Sequence, residues 1–120
     1  MQFYDRVSYH DFEGIALDLD ECASLQRDLG KNNAMILRNH GVLTCGISVA
    51  EAALRLRTLI MVAETQLRAE AMGAEINEVP ADVCERTAQQ YEQLAAKHGR
   101  KTEWQGVLRW LDRRDPSYRN

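Results

Sequence analysis

Residues 34–46 read AMILRNHGVLTCG, and the rest of the chain is best understood from them. Two short apolar runs flank a polar stretch, a pattern typical of two buried strands joined by a sharp turn. Gly41 suits a turn position with positive φ, and Asn39 can hydrogen-bond its own backbone there. We therefore expect a rigid corner that presents the imidazole of His40 to a metal or a substrate.

A long helix is predicted directly after this stretch, from Ser48 to about Met72. Ser48 and Glu51 fit a capping box, in which each side chain satisfies the backbone N–H of the other residue. Gly73 supplies a stop signal. Apolar residues recur at helical spacing along the segment; they are Val49, Ala52, Ala53, Leu56, Leu59, Ile60, Ala63 and Leu67.

The remaining segments predict one further strand and three further helices. Upstream, residues 7–10 alternate apolar and polar as in a short strand, residues 11–14 suggest a turn, and residues 18–30 predict a helix. Downstream, we expect a helix from Pro80 to His98, because proline is favoured in the first turn of a helix.

The last predicted helix begins at Thr102, with Gln105 completing a second capping box. Asp115 should end it, because the residue before a proline disfavours helical backbone. An extended tail is expected after Pro116. The order of strand, helix, two strands and three helices indicates an α/β domain spanning residues 1–120. Two or three strands leave an open sheet edge, so we expect part of a larger sheet.

Composition places the chain among ordinary globular proteins. It has 120 residues, of which 45% are hydrophobic and 28% charged, and 15 basic residues face 18 acidic ones, for a net charge of −3. We therefore expect no nucleic-acid partner. No apolar run approaches the ~20 residues of a membrane span, and the N-terminus lacks the pattern of a signal peptide. These features predict a cytoplasmic protein without a membrane segment.

The cysteines and the acidic N-terminal motif offer weaker signals. Cys22, Cys45 and Cys84 are widely spaced and odd in number, so we expect buried free thiols and no disulfide framework. His10 with Asp11 and Glu13 could serve acid–base chemistry, and the alternative is a solvated turn.

Several motifs resemble the class II aldolase/adducin family. They are YHDFEGIA at 9–16, the 34–46 stretch, VAEA at 49–52 and the tail from Trp104 to Arg119. The resemblance covers essentially the whole chain but only the C-terminal half of the usual family domain. It implies a truncated three-layer α/β/α fold with a small, mostly antiparallel sheet and about four helices.

The resemblance also implies a metal-dependent aldehyde-lyase that cleaves a carbon–carbon bond of a small sugar phosphate or similar aldol. The family site holds zinc or another divalent metal on three histidines, and His40 matches the third. The other two ligands form a His-x-His pair that this chain lacks, since its remaining histidines are His10 and His98. We therefore expect an incomplete metal site and no catalysis by this chain alone.

Two alternatives and one further residue follow from the same resemblance. The chain could be a non-catalytic, adducin-like protein-association module, or a partner chain could supply the N-terminal half. A homo-oligomer is expected in either case. Tyr118 could reach a substrate site in a neighbouring subunit, as aromatic residues do in some relatives, and a loose terminal tail is the alternative.

Overall fold

The computed structural model describes residues 1–14, 19–98 and 100–119, with the backbone alone for 19–21 and 98. Its strands β1 (Ser8–His10), β2 (Ala34–Leu37) and β3 (Gly41–Thr44) form one sheet in that spatial order. β1 pairs with β2 in parallel, and β2 pairs with β3 antiparallel. The α/β class is confirmed, but the sheet is mixed and not mostly antiparallel. The reason is that the helix between β1 and β2 returns the chain in the same direction.

Four α-helices and a short 3-10 helix complete the chain. They are α1 (Leu19–Leu29), α2 (Val49–Ala71), α3 (Ala81–His98), α4 (Lys101–Arg114) and the 3-10 helix Pro116–Arg119. The predicted helices are therefore all present, although the predicted start at residue 18 lies outside the described residues. In the part of the chain that the structure describes, no helix is long and apolar enough to cross a membrane.

The capping of α2 follows the prediction in part. The Ser48 hydroxyl accepts the Glu51 N–H over 3.2 Å, as expected. The Glu51 carboxylate, however, accepts the N–H of Ile47 over 3.1 Å, one residue before the predicted partner. Gly46 lies so close that an added Cβ would meet the Ala52 backbone nitrogen at 2.8 Å. Glycine therefore lets β3 lead into α2 within a few residues.

The C-terminal end differs from the prediction. Helix α4 begins at Lys101 behind Arg100, whose φ is 49°, and no side chain caps it, so the Thr102–Gln105 capping box is wrong. Asp115 ends the helix as expected, with φ −159°. The tail is helical and not extended, because the Asp115 carboxylate accepts the Ser117 N–H over 3.0 Å and turns the chain back.

Hydrogen bonds place helices on both faces of the sheet. The Ser8 hydroxyl donates to the Leu29 carbonyl of α1 over 3.0 Å. The Thr44 hydroxyl donates to the Ala52 carbonyl of α2 over 2.9 Å. Ser8 pairs with Met35 and Thr44 pairs with Ala34, the residue before it on β2, so the two hydroxyls lie on opposite faces of the sheet. Because successive side chains of a strand alternate between faces, α1 and α2 sandwich the sheet. The expected three-layer α/β/α arrangement is confirmed.

The buried core follows β2 and the inner face of α2. Ala34 and Met35 of β2 are 1% and 0% exposed, and Leu54 and Leu59 of α2 are also buried. β3 lies at the sheet edge, where Val42 is 40% exposed. The prediction of two buried strands around the corner therefore holds for β2 alone.

The cysteines are free thiols in three different environments. Cys84 is buried, Cys45 is half-buried and Cys22 is exposed. The expectation of buried thiols is therefore met by Cys84 and is wrong for Cys22, which lies on the exposed side of α1.

Candidate functional site

His40 ends the three-residue turn that joins β2 to β3. The His40 N–H donates to the Leu37 carbonyl over 3.0 Å, which closes the turn. Leu37 also pairs directly with Gly41 across the two strands. The predicted corner is therefore present, with a strand fixing each side of it.

The residue in the left-handed conformation is Asn39, whose φ is 59°. Asparagine tolerates this region better than most residues, and a positive φ at the third residue of a turn is what type II turns require. Gly41 instead begins β3 and has no positive φ. The prediction of positive φ at Gly41 is therefore wrong, and the polar residue before the histidine makes the bend.

The His40 side chain is exposed and stacks against an aromatic ring. The ring centroids of His40 and Phe12 are 6.0 Å apart, with 21° between the ring planes. The two rings border a cavity of about 110 Å³ between the turn, β1 and α1. Its lining includes His10, Phe12, Leu25, Leu37, Arg38 and His40. The corner thus offers an accessible imidazole beside a small, largely apolar cavity.

His10 is the second histidine of this cavity, and its side chain is 4% exposed. Its Nδ1 lies 2.8 Å from the Asp28 Oδ2 of α1. The solvated turn considered for His10 is therefore wrong, because the pairing of β1 directs this side chain toward α1. The carboxylate that pairs with His10 is therefore neither Asp11 nor Glu13, the two acidic residues near it in sequence. Glu13 accepts the Ser24 hydroxyl over 2.8 Å, and the Asp11 side chain is 86% exposed.

The hydrogen bond from His10 holds the pKa of the Asp28 carboxyl below its ordinary value, and Arg27 lowers it further. An ionised carboxylate can only accept hydrogen bonds, so the proton between the two groups belongs to His10 Nδ1. In the neutral ring Nε2 is then an acceptor. It is buried and has no hydrogen-bond partner among the described residues.

The residues that the structure describes do not make a complete metal site. Within residues 1–14, 19–98 and 100–119, no group of three or more His, Cys, Asp or Glu side chains is placed to hold a metal ion. Catalytic zinc normally has three protein ligands. His40 could hold a metal as one ligand, but the described part of the chain does not supply the full ligand set.

Tyr118 lies on the 3-10 helix after α4. Its hydroxyl donates to the Asp112 Oδ1 over 2.7 Å, and the Arg119 guanidinium lies 5.8 Å from the centre of its ring. The tail is therefore folded back on α4 by local contacts. A role for Tyr118 at a neighbouring subunit's site stays a prediction.

Sequence analysis missed Asp28. It lies 18 residues from His10, and an acidic residue near a helix end carries no signal of its own. The order strand–helix–strand was the available clue, because it is typical of a parallel βαβ unit whose helix packs over its strands. That reading would have placed the face of α1 against β1.

Comparison with known proteins gives a consistent family. The family model described as "Class II Aldolase and Adducin N-terminal domain" matches residues 1–67. A protein of Pseudomonas aeruginosa whose name places it among the class 2 aldolases is 40% identical over 119 residues, covering 94% of this chain and 45% of its own length. Alpha-adducin of Rattus norvegicus is 43% identical over 63 residues, covering 52% of this chain and 9% of its own.

A solved structure agrees with these sequence matches. The crystal structure of an aldolase II superfamily protein from Pseudomonas syringae superposes with a TM-score of 0.88 at 38% identity, covering 99% of this chain and 48% of that one. This chain therefore spans about half the length of the bacterial relatives it matches. By both sequence and fold, it belongs to the class II aldolase and adducin family.

Proposed function

We propose that this chain supplies the His40 corner of a class II aldolase-type metal site and does not catalyse the reaction alone. One observation carries the proposal. This chain belongs to the family, and His40, which we take as a metal ligand from the family resemblance, is exposed on a turn fixed by two strands. No group of three metal-binding side chains accompanies it in the described part of the chain.

The other metal ligands then come from outside the part of the chain that the structure describes. A bound divalent metal would act as a Lewis acid in cleaving a small sugar phosphate or similar aldol. The chain's own contribution is one oriented imidazole beside an apolar cavity. We propose that the other half of the site is supplied by a partner chain, in a cytoplasmic homo-oligomer or a complex with a second protein.

Zinc content and aldol cleavage test this proposal. The purified chain is dialysed with zinc, its metal is counted, and cleavage of a deoxysugar phosphate is followed. We expect much less than one tightly bound zinc per chain and no turnover. Zinc-dependent cleavage that is lost in His40→Ala and kept in His98→Ala would overturn the claim of incompetence.

A second measurement tests the role given to His40. The part of the Pseudomonas syringae relative that this chain does not match, about half of that protein, is added in trans. We expect zinc uptake that His40→Ala abolishes and His98→Ala, a change at the end of α3, leaves intact. Equal uptake by both variants would contradict the role of His40 as a ligand.

A second candidate function is protein association without catalysis, and the exposed face of α2 favours it. Apolar residues follow each other on this face at alternating spacings of four and three residues: Val49, Ala53, Leu56, Ile60, Ala63 and Leu67, here called the α2 stripe. Val49, Ile60 and Leu67 are 81%, 45% and 66% exposed, whereas Ala53 and Leu56 between them are half-buried. A repeat of 3.5 residues is the pattern of a coiled-coil seam.

The α2 stripe is complementary to itself. In an antiparallel pair of these helices, Leu56 would face Ile60 of the other copy, and the small residues Ala53 and Ala63 would face each other. Arg57 and Glu64 border the stripe with opposite charges, so this order brings attractive pairs together. We propose a second copy of this chain as the occupant.

Mass in solution, measured by light scattering, tests the association. We expect a dimer that Ile60→Asp converts to a monomer, because a charge would have to be buried in the seam. Thr65→Asp, which adds the same charge on the opposite, exposed side of α2, should leave most of the dimer. A wild-type chain that stays monomeric at millimolar concentration would contradict the proposal.

A further inference from the structure

The hydrogen bond between Asp28 and His10 joins α1 to the last residue of β1, next to the His40 turn. Its atoms are 2.8 Å apart, and the His10 side chain is 4% exposed. The other ring nitrogen, Nε2, has no hydrogen-bond partner among the described residues. Among the described residues, the hydrogen bond to Asp28 is therefore the polar contact that orients the His10 ring.

His10 also contacts the turn through its backbone. Its carbonyl accepts the Arg38 N–H over 2.9 Å, and its Cα pairs with that of Leu37 in the parallel register. Arg38 is the first residue of the turn that ends at His40. A shift of His10 would therefore disturb the hydrogen bond on which the turn begins.

Phe12 provides a second link between His10 and His40. It follows His10 by two residues, and its ring stacks on the His40 imidazole with 6.0 Å between centroids. Stacked aromatic pairs at this distance restrict each other's orientation. The three rings line the same cavity, and Leu25 of α1 and Leu37 of β2 also line it. Phe12 is 55% exposed, so its link to β1 is the backbone that joins it to His10 two residues earlier.

We propose that Asp28 and His10 are positioning residues for His40. Their hydrogen bond fixes the end of β1, and thereby both the Arg38 hydrogen bond and the Phe12 ring that orient the His40 imidazole. The inference rests on the proposed function only in taking His40 as the residue that binds the metal. A side chain oriented before binding loses less conformational freedom when it engages its ligand.

NMR of the metal-free, 15N-labelled chain tests this arrangement. We compare Asp28→Asn with Asp11→Asn, which changes an exposed carboxylate at the rim of the same cavity. Asp28→Asn should shift the His40 ring signals and weaken the nuclear Overhauser contact between Phe12 and His40. Asp11→Asn should leave that contact in place. His40 signals that shift no more in Asp28→Asn than in Asp11→Asn would overturn the proposal.

A double-mutant comparison checks the route through Phe12. In a Phe12→Ala background, Asp28→Asn should shift the His40 ring by clearly less than it does in the wild type, because coupled residues act non-additively. An undiminished shift would contradict the role of Phe12.

The wild-type tautomer of His10 covers the case in which Asp28→Asn does not fold. We expect the neutral ring to carry its proton on Nδ1, and a ring protonated on Nε2 would overturn the proposal. Because no step uses metal, failure here is distinct from failure of the zinc measurements. A chain without zinc could still show the predicted NMR contacts.

Discussion

The surroundings of the His40 turn and the outer face of α2 differ in where their side chains find partners. Around the turn, polar groups pair within the chain, as in the bond from His10 to Asp28 and the bond from Ser24 to Glu13. On the outer face of α2, Val49 and Leu67 are 81% and 66% exposed. The first region is held by contacts within the chain, whereas the second presents apolar surface that a partner could cover.

The difference teaches which properties belong to this chain alone. A turn fixed by internal hydrogen bonds keeps its geometry whether or not another chain is present. An exposed apolar stripe gains free energy only when it is covered, so its effect depends on concentration and on the partner. The candidate site is thus prepared locally, and its completion depends on association.

The largest expected effect comes from a pair of matched methionine substitutions. Met35 of β2 is 0% exposed and Met61 of α2 is 54% exposed. Met35→Ala should lower the free energy of unfolding by about 2–5 kcal/mol, because it leaves a cavity in the core. Met61→Ala should change it by about 0.5 kcal/mol or less. Urea unfolding at low protein concentration measures both.

The same two methionine substitutions also test the contrast between the turn region and the outer face of α2. If Met61→Ala costs as much as Met35→Ala, then the side of α2 that carries Met61, next to the α2 stripe, is covered in solution. In that case the cost should fall on dilution, because an interface is lost when the copies separate. A cost that stays the same at every concentration would place the cover within the chain.

A smaller effect is expected from the pH dependence of the Asp28–His10 bond. The bond lowers the folded-state pKa of Asp28, so the carboxylate contributes stability at pH values above its unfolded pKa near 4. That contribution is lost as pH falls through the lowered folded-state pKa. Asp28→Asn should therefore be less stable than the wild type at pH 6, and the difference should shrink below pH 4.

The control for this prediction is Asp11→Asn, because the Asp11 side chain is 86% exposed and faces Arg38 at 3.3 Å. Urea midpoints at several pH values serve as the measurement. A difference between wild type and Asp28→Asn that stays constant down to pH 2 would mean that ionisation of Asp28 is not the cause.

Sequence patterns predicted the elements better than their arrangement. The helix after Ser48, the glycine stop at Gly73 and the corner at His40 all depend on neighbours within a few residues, and all three are present. Strand direction depends on contacts across the sheet. The parallel pairing of β1 with β2 was therefore missed, and with it the burial of His10.

The errors in the capping predictions have a similar cause. A Thr-x-x-Gln spacing at Thr102 suggests a cap, yet the backbone of Arg100 adopts a left-handed conformation and starts α4 earlier. The candidate site was predicted as one metal ligand, His40, with Tyr118 as a substrate contact from a neighbouring subunit. Its neighbours Phe12 and Asp28 come from distant parts of the chain, and only the folded βαβ unit brings them to the turn.

The smallest effect tests whether burial, and not polarity alone, distinguishes the turn region. The Arg6 side chain, 20% exposed, forms ion pairs at 2.9 and 2.7 Å with Glu85 and Glu92 of α3, whose side chains are 41% and 61% exposed. The Arg6 hydrogen bond lowers the pKa of Glu85 to about 2, so its contribution is present above pH 4.5 and lost as pH falls toward 2. Exposed pairs are screened by salt and stabilise little.

We expect Arg6→Gln to lower the urea midpoint slightly at low salt and not in 1 M NaCl. Arg86→Gln, at an exposed arginine of α3, should change the urea midpoint less. Arg6→Gln could instead lower the urea midpoint as much as Asp28→Asn does, and equally at every salt concentration. The N-terminal segment would then be held as firmly as the turn, and the ion pairs of Arg6 would belong with the internally paired region.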